Sequence, residues 1–451
     1  MAEEPAILTP SRAIPLLDNY SVLFPMAMVD TRFPLLDPDA VASRMQRFDA
    51  SRDPAELWPG LRESDRIAAS REIERVTRIV LSGNARPAVK EFLGDYALLV
   101  AAHTTGMGPV LGGWIERGIV DASPRLRAPL LAHIQHSRLR TARIERELLP
   151  ALDAILLAGI TPLVLKGFHT ARTLFEEPGE RRMSDVDLFV HAAQLGDASC
   201  ALANTGFVDR HSSLVSDKHE WVPRDADERT FSLELSDERS PWVLELHTSL
   251  QQNFHRGATA ALDPLAAITR EWSYAGRPLR VLTPAAQLVT LAAHCSRELD
   301  SSRLLRLYEI ILLVRHNFAA GALDWTDVID LLERTHSARF VYPALALAEQ
   351  LAPGTVHRRV LEIGRAESTW AARHTVSRLV PAGGAIDELG FLRQVMWARG
   401  ATAVLQRLQR FLWPAPYARL GHPEHGWRIR LRQLRAGRLS LLAPDERREA
   451  Y

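Results

Sequence analysis

Two aspartates separated by one residue, Asp185 and Asp187, lie in the segment MSDVDLFV, whose alternating pattern predicts a β-strand. Side chains alternate between the two faces of a strand, so both carboxylates project to one face while Val186 and Leu188 project to the other. Two like charges this close repel each other unless they are exposed, protonated or bound to a cation. The pair therefore indicates either a solvated strand end or a site for Mg²⁺ or Mn²⁺, which prefer oxygen ligands.

A third carboxylate would complete a two-metal site for in-line displacement at a phosphate. The segments TFSLEL and PWVLELHTSL, separated by SDERS, have the pattern of an antiparallel hairpin. Glu234 lies in the first of these predicted strands and Glu245 in the second. Both are candidates for the third carboxylate.

A lysine and a glycine, Lys166 and Gly167, end the apolar run TPLVLKG, which we predict to be a strand followed by a short helix, FHTARTLF. The glycine allows close approach of backbone to a ligand, and the start of a helix offers free N–H groups to an anion. Lys166 and Arg182 can add positive charge beside a triphosphate. Alternatively, Lys166 extends from a strand edge into solvent, and Arg182 pairs with Glu177 or Glu180.

The order of these motifs resembles the nucleotidyltransferase fold of the DNA polymerase beta superfamily. LKG, a short helix, RMSDVD and a strand carrying LELH follow one another, as in the bacterial uncharacterised nucleotidyltransferase family and, secondarily, the nucleotidyltransferase-like toxins of toxin–antitoxin pairs. The resemblance extends from about Leu130 to Gln350. It includes the segments LTPAAQLVTLAAH and RLLRLYEIILL, and that family often has an acidic residue at the position of Glu309.

The resemblance implies an α+β fold, in which a small mixed-sheet nucleotidyltransferase core is embedded in mostly helical N- and C-terminal regions. We place the helical N-terminal region at residues 1–125, the catalytic core at 126–260 and the helical C-terminal region at 261–451. After Leu250 we expect the chain to become helical in character.

The same resemblance implies site residues. Asp185, Asp187 and Glu245 would be the catalytic, metal-binding carboxylates, and Glu245 is favoured over Glu234 because His247 follows it as in the family pattern. The residues implied to bind the nucleotide are Lys166, Gly167, Thr170, Arg182 and Ser184.

The implied activity is Mg²⁺- or Mn²⁺-dependent transfer of a nucleoside monophosphate from ATP or another NTP to a hydroxyl acceptor. One metal would lower the pKa of the acceptor hydroxyl, the other would stabilise the triphosphate, and pyrophosphate would leave. The acceptor can be an RNA end such as that of tRNA, a protein, a biosynthetic peptide or a small molecule. Phe168 departs from the family, which has a second small residue after the glycine. This departure favours an alternative, a catalytically weak nucleotide- or partner-binding protein that retains the fold.

Composition limits the remaining classes. The chain has 451 residues, 47% hydrophobic and 24% charged, with a formal net charge of +1, so its overall charge predicts no bulk attraction to nucleic acid or membrane. Two cysteines, Cys200 and Cys295, exclude a disulfide framework. No signal-peptide pattern or long apolar segment occurs, so we expect a cytoplasmic protein without a membrane partner.

Helical patterns occupy most of the remaining chain. The segment from Pro124 onwards predicts a long amphipathic helix that ends near Gly159. SDRIAASREIERVTRIVLSG predicts a helix capped by Ser64 and ended by Gly83, and LTPAAQLVTLAAH one capped by Thr283. Near the C-terminus, Arg428–Arg438 belongs to an arginine-rich segment with interleaved aromatic residues. It predicts either a surface for RNA or an acidic partner, or ordinary amphipathic helices in an arginine-biased chain.

Overall fold

The computed structural model describes residues 36–406, except 52, 84, 91–93, 211–217, 235, 255–257, 261–267, 300–302, 384–394, 399 and 401. All described residues belong to one compact unit. The arginine-rich segment Arg428–Arg438 lies outside the described residues. Within the described part, no helix combines the length and the apolar character that crossing a membrane requires.

Helices account for most of the described chain, as expected for the regions outside the core. They are α1 (Pro38–Ser51), α2 (Pro54–Leu57), α3 (Glu63–Ser82), α4 (Asp95–Thr104), α5 (Gly108–Glu116), α6 (Pro124–Leu157), α7 (Phe168–Thr173), α8 (Leu195–Asn204), α9 (Pro284–Arg297), α10 (Arg303–Ala319), α11 (Trp325–Thr335), α12 (Ala338–Leu351), α13 (Arg358–Glu367) and α14 (Trp370–Arg378).

The ends of these helices follow local sequence rules, with one correction. Helix α3 ends at Gly83 in the left-handed conformation, with φ 68°, as predicted. Helix α9 begins at Pro284 with Thr283 at the cap position, as predicted, although the Thr283 side chain makes no capping hydrogen bond. The prediction that Ser64 caps α3 is wrong, because the helix already begins at Glu63 and Ser64 lies in its first turn. Acidic side chains in that turn stabilise the earlier start by interacting with the helix dipole.

The strands form one mixed sheet and a separate two-stranded ribbon. The sheet has seven strands in the order β3–β4–β5–β2–β1–β9–β8, with β2 and β5 parallel, β1 and β9 parallel, and the other neighbours antiparallel. This arrangement confirms the predicted α+β class. The strands are β1 (Leu163–Val164), β2 (Asp185–Phe189), β3 (Phe207–Asp209), β4 (Lys218–Pro223), β5 (Val243–His247), β6 (Gln252–Phe254), β7 (Ala258–Ala260), β8 (Thr269–Tyr274) and β9 (Arg277–Leu282).

The predicted hairpin between TFSLEL and PWVLELHTSL is wrong. The described residues of TFSLEL are not in a strand, and the antiparallel neighbour of β5 is β4, which precedes that segment. The chain between β4 and β5 instead contacts α6. There, Arg140 donates hydrogen bonds to the carbonyl oxygens of Asp237 (3.0 Å) and Pro241 (2.6 Å), so these backbone acceptors are satisfied by a side chain of α6.

The expectation that the chain becomes helical after Leu250 is wrong for the part that precedes α9, because four strands, β6 to β9, lie between Gln252 and Leu282. The hairpin of β8 and β9 pairs Tyr274 with Arg277 at its turn, and β9 pairs with β1 in the main sheet. Two strands of the main sheet therefore lie beyond residue 260, where we placed the end of the core. The division into three regions stays a prediction.

One face of the sheet packs against α6 and α8 and forms the hydrophobic core. Val186 and Leu188 of β2 are completely buried in it, as the alternation of the strand predicts. The residues that α6 contributes to this core are Ile144, Leu148, Ala151, Leu152 and Ile155. The other face of β2 and β5 is thereby left to carry polar side chains.

Candidate active site

A buried arginine of α6 fixes the two strands that carry the predicted carboxylates. Arg140 donates hydrogen bonds to the carbonyl oxygen of Met183 (2.9 Å), which precedes β2, and to that of Pro241 (2.6 Å), which precedes β5. Burial lowers the pKa of Arg140 to about 10, so the side chain is still charged at neutral pH. One guanidinium group thus holds the starts of β2 and β5 side by side.

The register of β2 and β5 brings the carboxylates together. The strands are parallel and Asp187 lies directly opposite Glu245, with Asp185 two residues earlier on the same face of β2. The side chain of Asp185 is 36% exposed, whereas Asp187 is only 2% exposed. Three carboxylates therefore line one face of two neighbouring strands, as the sequence predicts.

Three cationic side chains surround these carboxylates. The N–H of Leu165 donates to the carbonyl oxygen of Asp187 (3.0 Å), which brings the next residue, Lys166, beside the pair. Lys166 Nζ lies 3.3 Å from Asp187 Oδ1 and 4.0 Å from Asp185 Oδ2. His247 Nε2 lies 3.0 Å from Asp187 Oδ1 and 3.2 Å from Glu245 Oε2. Each carboxylate accordingly has a cationic neighbour within the chain.

Lysine 218 of β4 provides the third cation, and sequence reasoning did not assign it a role. Lys218 Nζ lies 2.8 Å from Glu245 Oε1 and 3.1 Å from Glu220 Oε1. Its rarity was the available signal, because the chain contains only three lysines. The sequence could not show the contact, since it depends on β4 pairing with β5.

The charges of the site shift one another's pKa values. Burial opposes protonation of His247, but its hydrogen bonds to Asp187 and Glu245 raise its pKa to about 9. Burial alone would raise the pKa of Asp187, and Lys166 and His247 instead lower it well below its ordinary value. Burial, together with repulsion from Asp187, raises the pKa of Asp185 to about 6. At neutral pH the site is therefore a dense set of opposite charges.

The donor atoms of this site suit a hard divalent cation. One ligand atom each from Asp187, Glu245 and His247 lie within 4.8 Å of one another, and Asp185 adds a carboxylate on the same face. Oxygen-rich ligand sets of this kind suit Mg²⁺ and Mn²⁺, and an imidazole nitrogen is a further ligand for Mn²⁺. The residues present therefore fit the metal expected from the sequence.

Residues 95–353 match the model of a protein family described as Uncharacterised nucleotidyltransferase. The chain belongs to this nucleotidyltransferase family. The match confirms the resemblance found in the sequence, and it begins before Leu130, so that α4 and α5 are included. No curated protein and no solved structure matches the chain. The three carboxylates of the site, Asp185, Asp187 and Glu245, lie inside the matched residues of this nucleotidyltransferase family member.

Phe168, the residue that departs from the family pattern, points into the hydrophobic core. Gly167 has φ 58°, a left-handed conformation that favours glycine, and the chain turns there into α7. The Phe168 ring is 1% exposed and lies edge-on to Tyr274 at 5.2 Å between centroids. The guanidinium carbon of Arg172 lies 3.5 Å from the centroid of the same ring. The large side chain therefore fills core space and leaves the turn at Gly167 uncovered by its ring.

Ser184 and Thr170, which are also expected to bind the nucleotide, differ from each other in exposure. Ser184 is exposed immediately before Asp185, and its carbonyl oxygen accepts a hydrogen bond from Val243 N (3.1 Å). Thr170 is completely buried and its hydroxyl group donates to Gly167 O at 3.1 Å and to Glu309. Thr170 thus contacts the turn from within the protein.

Arg182 pairs with neither Glu177 nor Glu180 within the described chain; those two carboxylates contact other arginines. Its guanidinium lies 3.3 Å from His103 Nδ1 and donates to Glu234 O at 3.1 Å. Burial lowers its pKa. Arg182 is therefore engaged with α4 and with the chain that leads to β5.

Glu234, the alternative third carboxylate, belongs to a separate buried cluster. Its Oε1 lies 2.6 Å from His133 Nε2, and His103 completes a group whose ligand atoms are within 4.8 Å of one another. The guanidinium of Arg182 beside His103 opposes a further cation in this cluster. Burial lowers the pKa of His103 to about 3, which keeps it neutral. Glu245, and not Glu234, lies opposite the aspartate pair.

Proposed function

We propose that the chain is a Mg²⁺- or Mn²⁺-dependent nucleotidyltransferase that moves a nucleoside monophosphate from an NTP to a hydroxyl acceptor. The observation that carries this proposal is the parallel register that sets Glu245 opposite Asp187, with Asp185 on the same face. Membership of a nucleotidyltransferase family supports the same reaction class. Asp185, Asp187 and Glu245 are the metal-binding carboxylates of this proposal.

Residues around the Gly167 turn would receive the triphosphate. Lys166 brings a cation to the edge of the aspartate pair, Gly167 allows the backbone to approach a phosphate oxygen, and Ser184 offers an exposed hydroxyl group. The Phe168 ring is buried in the core, so this departure from the family pattern leaves the turn open to a phosphate. ATP is the donor we propose first.

The reaction is an in-line displacement at the α-phosphate. The acceptor oxygen forms a bond to the α-phosphorus while the bond to the bridging oxygen of the β-phosphate breaks, and pyrophosphate leaves with that electron pair. The hydroxyl proton passes to the carboxylate of Asp187 or Glu245. A bound divalent metal would supply charge neutralisation at the triphosphate and a lower pKa for the acceptor hydroxyl.

Transfer of label from defined positions of the NTP tests this proposal. The chain is incubated with α-labelled or γ-labelled ATP, GTP, CTP or UTP, with Mg²⁺ or Mn²⁺, and with tRNA, protein, peptide or small-molecule acceptors. We expect α-label on an acceptor and release of pyrophosphate, at least about a hundredfold less with Asp187→Asn. The matched control is Asp197→Asn, an exposed aspartate of α8. Transfer of γ-label alone would indicate a kinase-like reaction and contradict the proposal.

A second candidate function is nucleotide or partner binding without turnover. The observation that favours it is the set of ion pairs by which Lys166, Lys218 and His247 already neutralise the three carboxylates. A protein of this kind would bind nucleotide, but it would transfer no label to any acceptor in the assay described above.

We further propose a cytoplasmic protein with no membrane partner. Cys200 is exposed and Cys295 is buried, and both are free thiols, which suits a reducing compartment. RNA or an acidic partner at Arg428–Arg438 stays part of this proposal. Neutralising Arg428, Arg430, Arg432 and Arg435 should weaken acceptor binding and flatten its salt dependence if the acceptor is a nucleic acid. Unchanged binding and salt dependence would exclude that role.

A further inference from the structure

Two consecutive arginines before β2 have different surroundings. Arg182 is directed to the cluster of His103 and Glu234, where its guanidinium contacts His103 Nδ1 at 3.3 Å and Glu234 O at 3.1 Å. Because an arginine is always protonated and donates only, His103 Nδ1 accepts in this contact. Arg182 thereby connects α4, the chain before β5 and the chain before β2.

Arg181 lies instead over the turn at Gly167. Its Nη1 is 3.3 Å and its Cζ 3.7 Å from the point where a Cβ at residue 167 would stand. The guanidinium of Arg181 therefore lies beside the Gly167 turn.

A buried carboxylate of α10 fixes the orientation of Arg181. Glu309 is 2% exposed and accepts hydrogen bonds from Arg181 Nε at 2.7 Å and from Arg181 Nη2 at 3.2 Å. The hydroxyl group of Thr170, on the far side of the turn, also donates to Glu309. Glu309 thus connects Arg181, in the segment before β2, to Thr170 of α7.

The fork of Arg181 has donors that Glu309 does not use. Among the described residues, Nη1 makes one long contact, 3.4 Å, to the carbonyl oxygen of Arg182. This nitrogen is also the Arg181 atom that lies nearest the position of a Cβ at Gly167. A planar guanidinium held on one edge presents its other edge in a fixed direction, a geometry that suits phosphate oxygens. In Arg182, by contrast, Nη1 is directed at His103 Nδ1 and Glu234 O.

We propose that Arg181, positioned by Glu309, contacts the phosphate chain of the nucleotide at the Gly167 turn. Arg182 serves as a positioning residue for the segment that leads into β2. This inference rests on the proposed function, because it assumes that an NTP binds at the turn. The sequence motif indicates Arg182 as the arginine that contacts phosphate. The inference assigns this contact to its neighbour, Arg181.

Nucleotide binding by matched substitutions tests this assignment. The affinities of the full chain for ATP and AMP are measured by calorimetry with Mg²⁺ and no acceptor, for the wild type, Arg181→Gln and Arg182→Gln. We expect Arg181→Gln to weaken ATP binding by about ten- to a hundredfold, the effect of losing a hydrogen bond to a charged group, and to leave AMP binding unchanged. Arg182→Gln should lower the melting temperature and keep the wild-type ratio of ATP to AMP affinity.

Two further variants keep the test decisive if Arg181→Gln does not fold. Arg181→Lys retains the positive charge but loses the planar guanidinium. Glu309→Gln removes the carboxylate that orients Arg181. Both variants should reduce the ratio of ATP to AMP affinity. An unchanged ratio in the Arg181 variants, or its loss in Arg182→Gln alone, would overturn the inference and leave the proposed function standing. A wild-type chain that prefers AMP, or binds neither nucleotide, would overturn both.

Discussion

Replacing Phe168 by alanine removes a completely buried ring beside the Gly167 turn. Truncating a buried phenylalanine costs about 3 to 5 kcal/mol of unfolding free energy. The contact with the Arg172 guanidinium, 3.5 Å from the ring centroid, adds about 0.5 to 2 kcal/mol. We therefore expect Phe168→Ala to lose at least about 3.5 kcal/mol of unfolding free energy. Phe168→Leu keeps most of the volume and should lose about 1.5 kcal/mol.

Urea unfolding followed by circular dichroism measures these losses. Phe318→Ala is the matched control, because that phenylalanine of α10 is 60% exposed and its loss should change stability by less than about 0.5 kcal/mol. The ATP affinity of Phe168→Leu should equal that of the wild type, since the ring faces the core. A Phe168→Ala variant with unchanged stability and tighter ATP binding would show that the ring occupies the ligand's place, and would refute the reasoning.

Three further predictions concern the supports of the site. Arg140→Leu leaves the carbonyl acceptors before β2 and β5 unpaired and should cost about 3 kcal/mol or more of unfolding free energy. His169 has its pKa lowered to about 4 by burial, so its contribution to stability is full above pH 6.5 and is lost as pH falls towards 4. Relative to His169→Asn, the wild type should lose about 2 kcal/mol between pH 7.5 and 5. Glu245→Gln should abolish label transfer, whereas Glu234→Gln should lower stability and retain transfer.

Each of these predictions has a result that would contradict it. If Arg140→Leu were as stable as the wild type, the guanidinium would not be needed to hold the starts of β2 and β5 together. Parallel stability curves for the wild type and His169→Asn from pH 7.5 to 5 would mean that His169 titrates alike in the folded and unfolded chain. Loss of transfer in Glu234→Gln, with Glu245→Gln active, would exchange the roles of the two carboxylates.

Local patterns sufficed for the parts of the site that lie on one element. The alternation of MSDVDLFV predicts that Asp185 and Asp187 share a face, and this follows from strand geometry alone. The glycine that ends α3 and the proline that begins α9 are likewise set by backbone preferences of single residues. Such features need no knowledge of which elements meet.

Contacts between distant elements could not be read in the same way. The segment TFSLEL has a strand pattern, but Arg140, almost a hundred residues earlier, binds the backbone that follows it. Phe168 seemed incompatible with phosphate binding because the motif gives only its position after Gly167. The sequence could not show that its ring fills core space formed partly by Tyr274, about a hundred residues later. Lys218 and Glu309 reach the site through strand pairing and helix packing, for which the sequence carries no local signal.

The central claim is that the carboxylates of β2 and β5 form one divalent-metal site that receives the NTP. Electron paramagnetic resonance of Mn²⁺ titrated into the full chain, with and without ATP, tests this claim most directly. We expect binding that ATP strengthens, and that is at least about tenfold weaker in the Asp185→Asn/Asp187→Asn variant than in the wild type or in Asp197→Asn. Equal Mn²⁺ binding by the wild type and the double variant would contradict the claim.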